Sequence, residues 1–326
     1  MTRAGRGKLL GFALATILVA IGQPTLAQDA YPTKTVRVIV GFAAGGGNDL
    51  FARIVAQELQ NALGGTFVVE NKVGAGGRIS AEFVKDQAPD GHTLLVGASG
   101  AMAVSPAISD KLRYDVLRDF VPVSMMAQFP LMMVVHPDHP AKTVKDFVTW
   151  TKANPDTSNY GTSSPAFTLA VELFKLKSGA VIQAIPYKSS NEMVLGVLGN
   201  QSSVTVTDPP PAVAQIQGGK LRGLAVMSPK RHDEVPNVPT MAEAGYPDVN
   251  VLLWSGVFVA AATPKPIVAK LEAAMQKIMQ LPDVKAKFKQ NGTEVVGNTS
   301  QQFTATIEKE IKTWRDVAQQ ANLKLE

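Results

Sequence analysis

A chain of 326 residues, 45% hydrophobic and 18% charged, has the make-up of a folded globular protein and is long enough for one large domain or two of ordinary size. It contains no cysteine, which excludes disulfides, thiolate metal sites and a cysteine nucleophile. The formal net charge of +5 is inflated by residues 1–27, which hold three of the 32 basic residues and no acidic one; the remaining 29 face 27 acidic residues, and with no Lys/Arg block the charge is no nucleic-acid footprint.

Residues 1–27 read as a secretory signal peptide. Arg3, Arg6 and Lys8 precede an uncharged run from Leu9 to Gly22, and Thr25-Leu26-Ala27 offers small residues for cleavage after Ala27. A transmembrane anchor needs about 20 apolar residues, and this run ends before Gln23 and Pro24. A lipid anchor has no cysteine to carry it.

From Tyr31 onward, strands alternate with helices. A strand over Val36–Phe42 feeds a helix over Leu50–Leu63 through the loop GFAAGGGND. Then come a strand at Thr66–Glu70, a helix at Ile79–Gln87 and a strand at Thr93–Gly97, with loops at Asn71–Arg78 and Ala98–Pro106. The pattern restarts near Phe120 with a strand at Leu131–Val135. It continues with a helix at Val144–Ala153, a strand at Ser158–Gly161, a helix at Ala166–Lys177, a strand at Ile182–Pro186, a helix at Glu192–Leu198 and a strand at Val204–Thr207. Pro209–Pro211 suit the first turn of another helix, where a missing N–H costs nothing. A strand at Leu221–Met227, a loop over Arg231–Pro247 with one short helix at Met241–Ala244, and a long strand at Val251–Val259 follow. Helices at Pro266–Met279, Val284–Gln290 and Gln301–Gln320 close the chain. Continuous apolar strands between helices predict an α/β protein with a mainly parallel sheet in each of two lobes and a cleft between them.

Catalytic patterns are incomplete. GFAAGGGND lacks the Lys-Ser/Thr of a phosphate-binding P-loop, and GAGGRI has Ile79 where a dinucleotide fingerprint has its third glycine. Gly97-Ala98-Ser99-Gly100-Ala101 departs from a nucleophile elbow at its last residue. His136 and His139 flank a proline loop and read as surface residues, so no metal and no cofactor is expected. The groups that remain are small and neutral, and each lies at the carboxyl end of a strand, where open α/β sheets bind ligands. They are Gly45, Gly46, Gly47 and Asn48 after the first strand, Ser99 and Gly100, Thr162, Ser163 and Ser164, Tyr187, Lys188 and Ser189, and the charged Asp208. A helix N-terminus stripped of side chains is an anion cradle. Each of these residues also has a plain reading as a turn or helix cap, and Asp49 one as a first-turn carboxylate favoured by the helix dipole.

The segments YPTKTVRVIVGFAAGGGNDLFARIVAQEL, VVENKVGAGGRISAEFVKDQAPDGHTLLVG, GKLRGLAVMSPKRHDEVPNVPTMAEAGYPD and WSGVFVAAATPKPIV together resemble the Bug (TctC-like) family, the periplasmic solute-binding proteins of tripartite tricarboxylate transporters. The resemblance covers the chain beyond residue 27. It implies a two-lobed Venus-flytrap fold, with lobe 1 from 28–125 and 250–326 and lobe 2 from 126–249. It also implies a non-enzymatic monomer that passes a small carboxylate to membrane permease subunits. The family's carboxylate cradle falls on Phe42–Asp49, including Phe42, Ala43 and Asp49, and on Gly161–Ser164, with Ser99, Tyr187, Lys188 and Asp208 lining the remainder. Departures are Asn48 for the usual Thr or Ser, Ala43-Ala44 for the common prolines, Ser189-Ser190 where a glycine is typical, and Ser163-Ser164-Pro165 for a more glycine-rich loop. An exported hydrolase and a ligand-sensing partner of a membrane kinase are the alternatives.

Overall fold

The structure, a computed structural model, describes Met1 and residues 31–320, so the signal-peptide reading of residues 1–27 lies outside the described residues. The elements run β1 (Val36–Val40), α1 (Gly47–Leu63), β2 (Phe67–Asn71), α2 (Arg78–Lys85), β3 (Thr93–Ala98), α3 (Ser105–Ile108), α4 (Val116–Asp119), β4 (Phe120–Pro130) and β5 (Met132–Val135). They continue with α5 (Val144–Ala153), β6 (Asn159–Thr162), α6 (Pro165–Ser178), β7 (Gln183–Pro186), α7 (Ser190–Leu198), β8 (Val204–Thr207), α8 (Pro209–Gln217) and β9 (Arg222–Val226). The last are β10 (Leu252–Ala260), α9 (Lys265–Ile278), α10 (Pro282–Gln290), β11 (Glu294–Val295) and α11 (Ser300–Gln320).

Two sheets result, in the orders β11-β4-β10-β3-β1-β2 and β7-β6-β8-β5-β9. Parallel pairing joins β2, β1 and β3 in the first and β7, β6 and β8 in the second; the other neighbours are antiparallel. The sheets are therefore mixed rather than mainly parallel. The cause is β4 and β10, whose nine-residue antiparallel register extends the first sheet away from its parallel half. Only Leu131 separates β4 from β5, and the chain returns from β9 to β10 through residues 227–251.

The first sheet's core is aromatic. Phe51 of α1 stacks on Phe288 of α10 at 5.1 Å, and Trp254 meets Phe303 of α11 edge-on at 4.9 Å. Gly256 admits the Phe303 ring, which a methyl at that position would overlap. The second sheet's core is aliphatic, with Met132, Val134 and Val226 packed against Val194, Val197, Ala212 and Val213. Fully burying side chains of this size stabilises by roughly 1.5–3 kcal/mol each, which lets the chain hold together without disulfides.

Several elements differ from expectation. β4, the longest strand, is absent from the sequence reading. The Ala98–Pro106 loop is helical, with a π turn at Gly100–Val104 leading into α3. Residues 241–245 form turns rather than a helix, and α1 begins three residues early, at Gly47. Among the described residues, no helix is long and apolar enough to cross a membrane.

Candidate functional site

The β1–α1 loop is braced by a buried carboxylate. Asp49, in the first turn of α1, accepts the Gly45 N–H at 3.1 Å, two bonds from the Arg53 guanidinium at 2.9 Å each, and Asn71 Nδ2 at 2.9 Å. Burial raises the Asp49 carboxyl, but the bonds from Arg53, Asn71 and Gly45 outweigh it and leave it below the ordinary range. Asn71 Nδ2 also donates to the Phe42 carbonyl at 2.8 Å, so one amide fixes both ends of the loop. The Phe42 ring lies over Gly77, and the Asn48 side-chain Oδ1 accepts from Ser255 Oγ on β10.

Loops of the second sheet meet this one. The Ala43 N–H donates to the Lys188 carbonyl at 3.4 Å. A side-chain carbon on Gly46 would lie 3.2 Å from Ser190 Oγ and 3.4 Å from Ser189 Cβ, and one on Gly45 would lie 3.5 Å from Asn191 Nδ2. A methyl on Gly47 would overlap Asp208 Oδ2. A second seam joins the start of α6 to two other loops: Gly76 faces Pro165 and Ser164, and a carbon on Gly100 would lie 3.1 Å from Ser164 Oγ. Ala75, beside Gly76, has a φ of 47°, a left-handed conformation that costs a non-glycine residue energy.

The remaining side chains divide into those already partnered and those not. Thr162 Oγ1 pairs with Thr168 Oγ1 at 2.9 Å, and Ser189 Oγ caps α7 by accepting the Glu192 N–H at 3.3 Å. The Tyr187 hydroxyl is 3.0 Å from Ser202 Oγ and its ring covers Gly161, so this side chain supports β6. Ser99 is buried and accepts the Trp254 N–H at 3.5 Å. Lys188 is exposed. Ser163 is buried with its hydroxyl unpartnered, and Ser164, the N-cap of α6, does not cap that helix with its side chain. The first turn of α6 thus receives no side-chain cap, next to an idle hydroxyl.

Asp208 is the other buried charge, 1% exposed. Burial pushes its carboxyl up, partly offset by hydrogen bonds from Ser190, Thr207, its own N–H and the Gly47 N–H. Thr207 Oγ1 lies 3.2 Å from Asp208 Oδ1.

Sequence reasoning missed Arg53, Ser190, Asn191 and the bracing role of Asn71. The i, i+4 spacing of Asp49 and Arg53 was a usable signal. His139 is not a simple surface residue: its ring packs on Trp150 at 4.5 Å and burial lowers its pKa. Among the described residues, no cluster of three His, Asp or Glu could hold a metal. A separate cavity of about 130 Å³, lined by Phe129, Pro130, Pro229, His232 and Leu252, contains none of the candidate residues.

The description of the Tripartite tricarboxylate transporter family receptor, TctC, matches residues 51–323. The chain belongs to this family. It is 34% identical to Protein BugT of Bordetella pertussis, covering 97% of both chains. Rpa4515 of R. palustris, solved with adipate, superposes with a TM-score of 0.87 at 31% identity, over 90% of this chain and 99% of that one. MatC (Rpa3494) from Rhodopseudomonas palustris, with bound malate, gives 0.85 at 30% identity, over 88% and 99%. The family expected from the sequence and its two-lobed periplasmic-binding-protein fold therefore both hold. Receptors of this family are solute-binding proteins.

Proposed function

We propose that this protein captures a small carboxylate between a lobe formed by residues 28–125 and 250–326 and a lobe formed by residues 126–249. It then presents that solute to the membrane permease of a tripartite transporter, acting in the periplasm as a monomer and without catalysis. The observation that carries this reading is the start of α6, where the buried Ser163 hydroxyl has no partner and the helix has no side-chain cap. A helix N-terminus with a free hydroxyl beside it favours an anion through its unpaired N–H groups and its dipole. Gly76 and Gly100 bring two further loops against that terminus without side chains in the way. Adipate and malate in two solved relatives support a carboxylate as the ligand class.

Lobe closure supplies the mechanism. Groups from both lobes surround one anion only when the cleft is shut, so ligand binding favours the shut state by its differential affinity. A thermal-shift screen of mono-, di- and tricarboxylates, aromatic acids and amino acids tests the reading. A ligand at 100 times its Kd adds about 2.7 kcal/mol to stability. No shift with any carboxylate would overturn it.

A further inference from the structure

The sequence offers Asp208 as a ligand contact or a helix cap, and its surroundings fit neither. Its side chain does not cap α8; Thr207 Oγ1 lies 3.2 Å from Oδ1, and Ser190 and Gly47 lie against the same carboxyl. Two of these partners come from other elements: Ser190 at the start of α7 and, far away in sequence, Gly47, the first residue of the 17-residue helix α1. We propose that Asp208 is the latch of lobe closure and a positioning residue for the cradle. Its carboxyl seats on the N-terminus of α1 and holds the β1–α1 loop against the first turn of α7.

Three features follow from this placement. Gly47 is glycine because the latch needs contact: a methyl would overlap Asp208 Oδ2 and come within 3.4 Å of Pro210 Cγ, which limits where the carboxylate can retreat. The neighbouring contacts, Gly46 on Ser189 and Ser190 and Ala43 N–H on the Lys188 carbonyl, lie along the same seam and are aligned by it. The N–H of Gly47 is spent on the protein's own carboxylate, so an incoming anion is received by other donors. Asp208 thereby acts on the ligand through the loops it aligns.

The inference rests on the two-lobed reading of the cleft, but its test needs no ligand. The chain has no cysteine, so cysteines placed at the exposed Gln57 on α1 and Gln201 after α7 are the only labelling sites for a pulsed EPR distance measurement. The parent is expected to give a dominant short distance. Asp208→Asn, which keeps an oxygen acceptor for Gly47 and Ser190, retains it. Asp208→Ala and Gly47→Ala each make a longer distance the major population. Gly47→Ala places a good helix former at a helical position, so it carries the test by itself if Asp208→Ala does not fold. Parent-like distances in folded Asp208→Ala or in Gly47→Ala would overturn the latch. Failure of carboxylates in the thermal-shift screen would sink the ligand reading and leave this result standing.

Discussion

Glu310 on α11 makes the pH dependence of stability a quantitative test of the packing behind the first sheet. Trp254 Nε1 on β10 donates to Glu310 Oε2 at 2.6 Å, and Trp314 is a second donor. Burial nevertheless dominates and pushes the carboxyl from 4.5 to about 7. The folded protein therefore holds a proton on Glu310 between these values while the unfolded chain releases it. Stability contributed by this group is complete below pH 4.5, falls as pH rises towards 7, and is lost above it. At 1.36 kcal/mol per pH unit the loss is up to ~3 kcal/mol, or roughly 6 °C in Tm for a chain of this size. Glu310→Gln keeps an acceptor for Trp254 and cannot ionise. Melting curves from pH 4 to pH 8 are expected to coincide at the acid end and separate by about that amount at pH 8, with the variant more stable. His139, whose pKa burial lowers, acts with the opposite sign, but it is common to both proteins and cancels in the difference. Parallel curves across the whole range would refute the reasoning.

The remaining predictions concern the candidate site. Gly46→Glu puts a carboxylate where Ser189 and Ser190 now pack against the loop, and is expected to abolish carboxylate binding by calorimetry; retained affinity would remove this loop from the site. Ser163→Ala removes a buried hydroxyl without a partner; stability should hold or rise slightly, while affinity falls roughly 10-fold or more, the worth of one hydrogen bond to a charged group. Affinity should change little between low and moderate salt, because the donors are neutral; a steep loss would indicate an unrecognised cationic contact. Asp49→Asn should cost about 1–2 kcal/mol at neutral pH by weakening the brace to Arg53. That gap should narrow below about pH 4, where Asp49 of the unfolded chain takes up a proton while the folded one, held lower, still resists it, and a gap unchanged down to pH 3 would exclude the ion pair as its source.

Much of the fold was legible because helices with one apolar face announce their period. Val144–Ala153 was placed to the residue, and its capping box of Thr143 and Asp146 explains so clear a start. β4 was missed because Pro122 and Pro130 suggest breaks, and a strand buried on both faces shows no alternation. Pro122 is tolerated because it pairs with Phe258 on one side, while the two-residue β11 reaches only Ala127 and Gln128 on the other. The antiparallel entry of β10 depends on which strand it meets, and nothing local encodes that. In the candidate site, the glycine loop was readable from its own composition. The Gly47–Asp208 and Gly46–Ser190 contacts were not, because they join segments more than 140 residues apart whose spacing is fixed only by the assembled sheets.

The charges around the cleft account for its character. Asp49 is occupied by Arg53, Asn71 and Gly45, and Asp208 packs against Thr207, Ser190 and Gly47. Both carboxyls serve the scaffold, and the proposed reading assigns recognition to neutral hydroxyls and backbone N–H groups. Neutral donors in an open, hydrated cleft gain little, because each bond to a ligand replaces one to water. The same donors gain more once the lobes meet and water is excluded, since hydrogen bonds to a charge strengthen as the local dielectric falls. On that reading the site derives its affinity from closing, and residues that govern closure control binding as firmly as those that touch the ligand. The Gly47–Asp208 contact is where the two requirements meet.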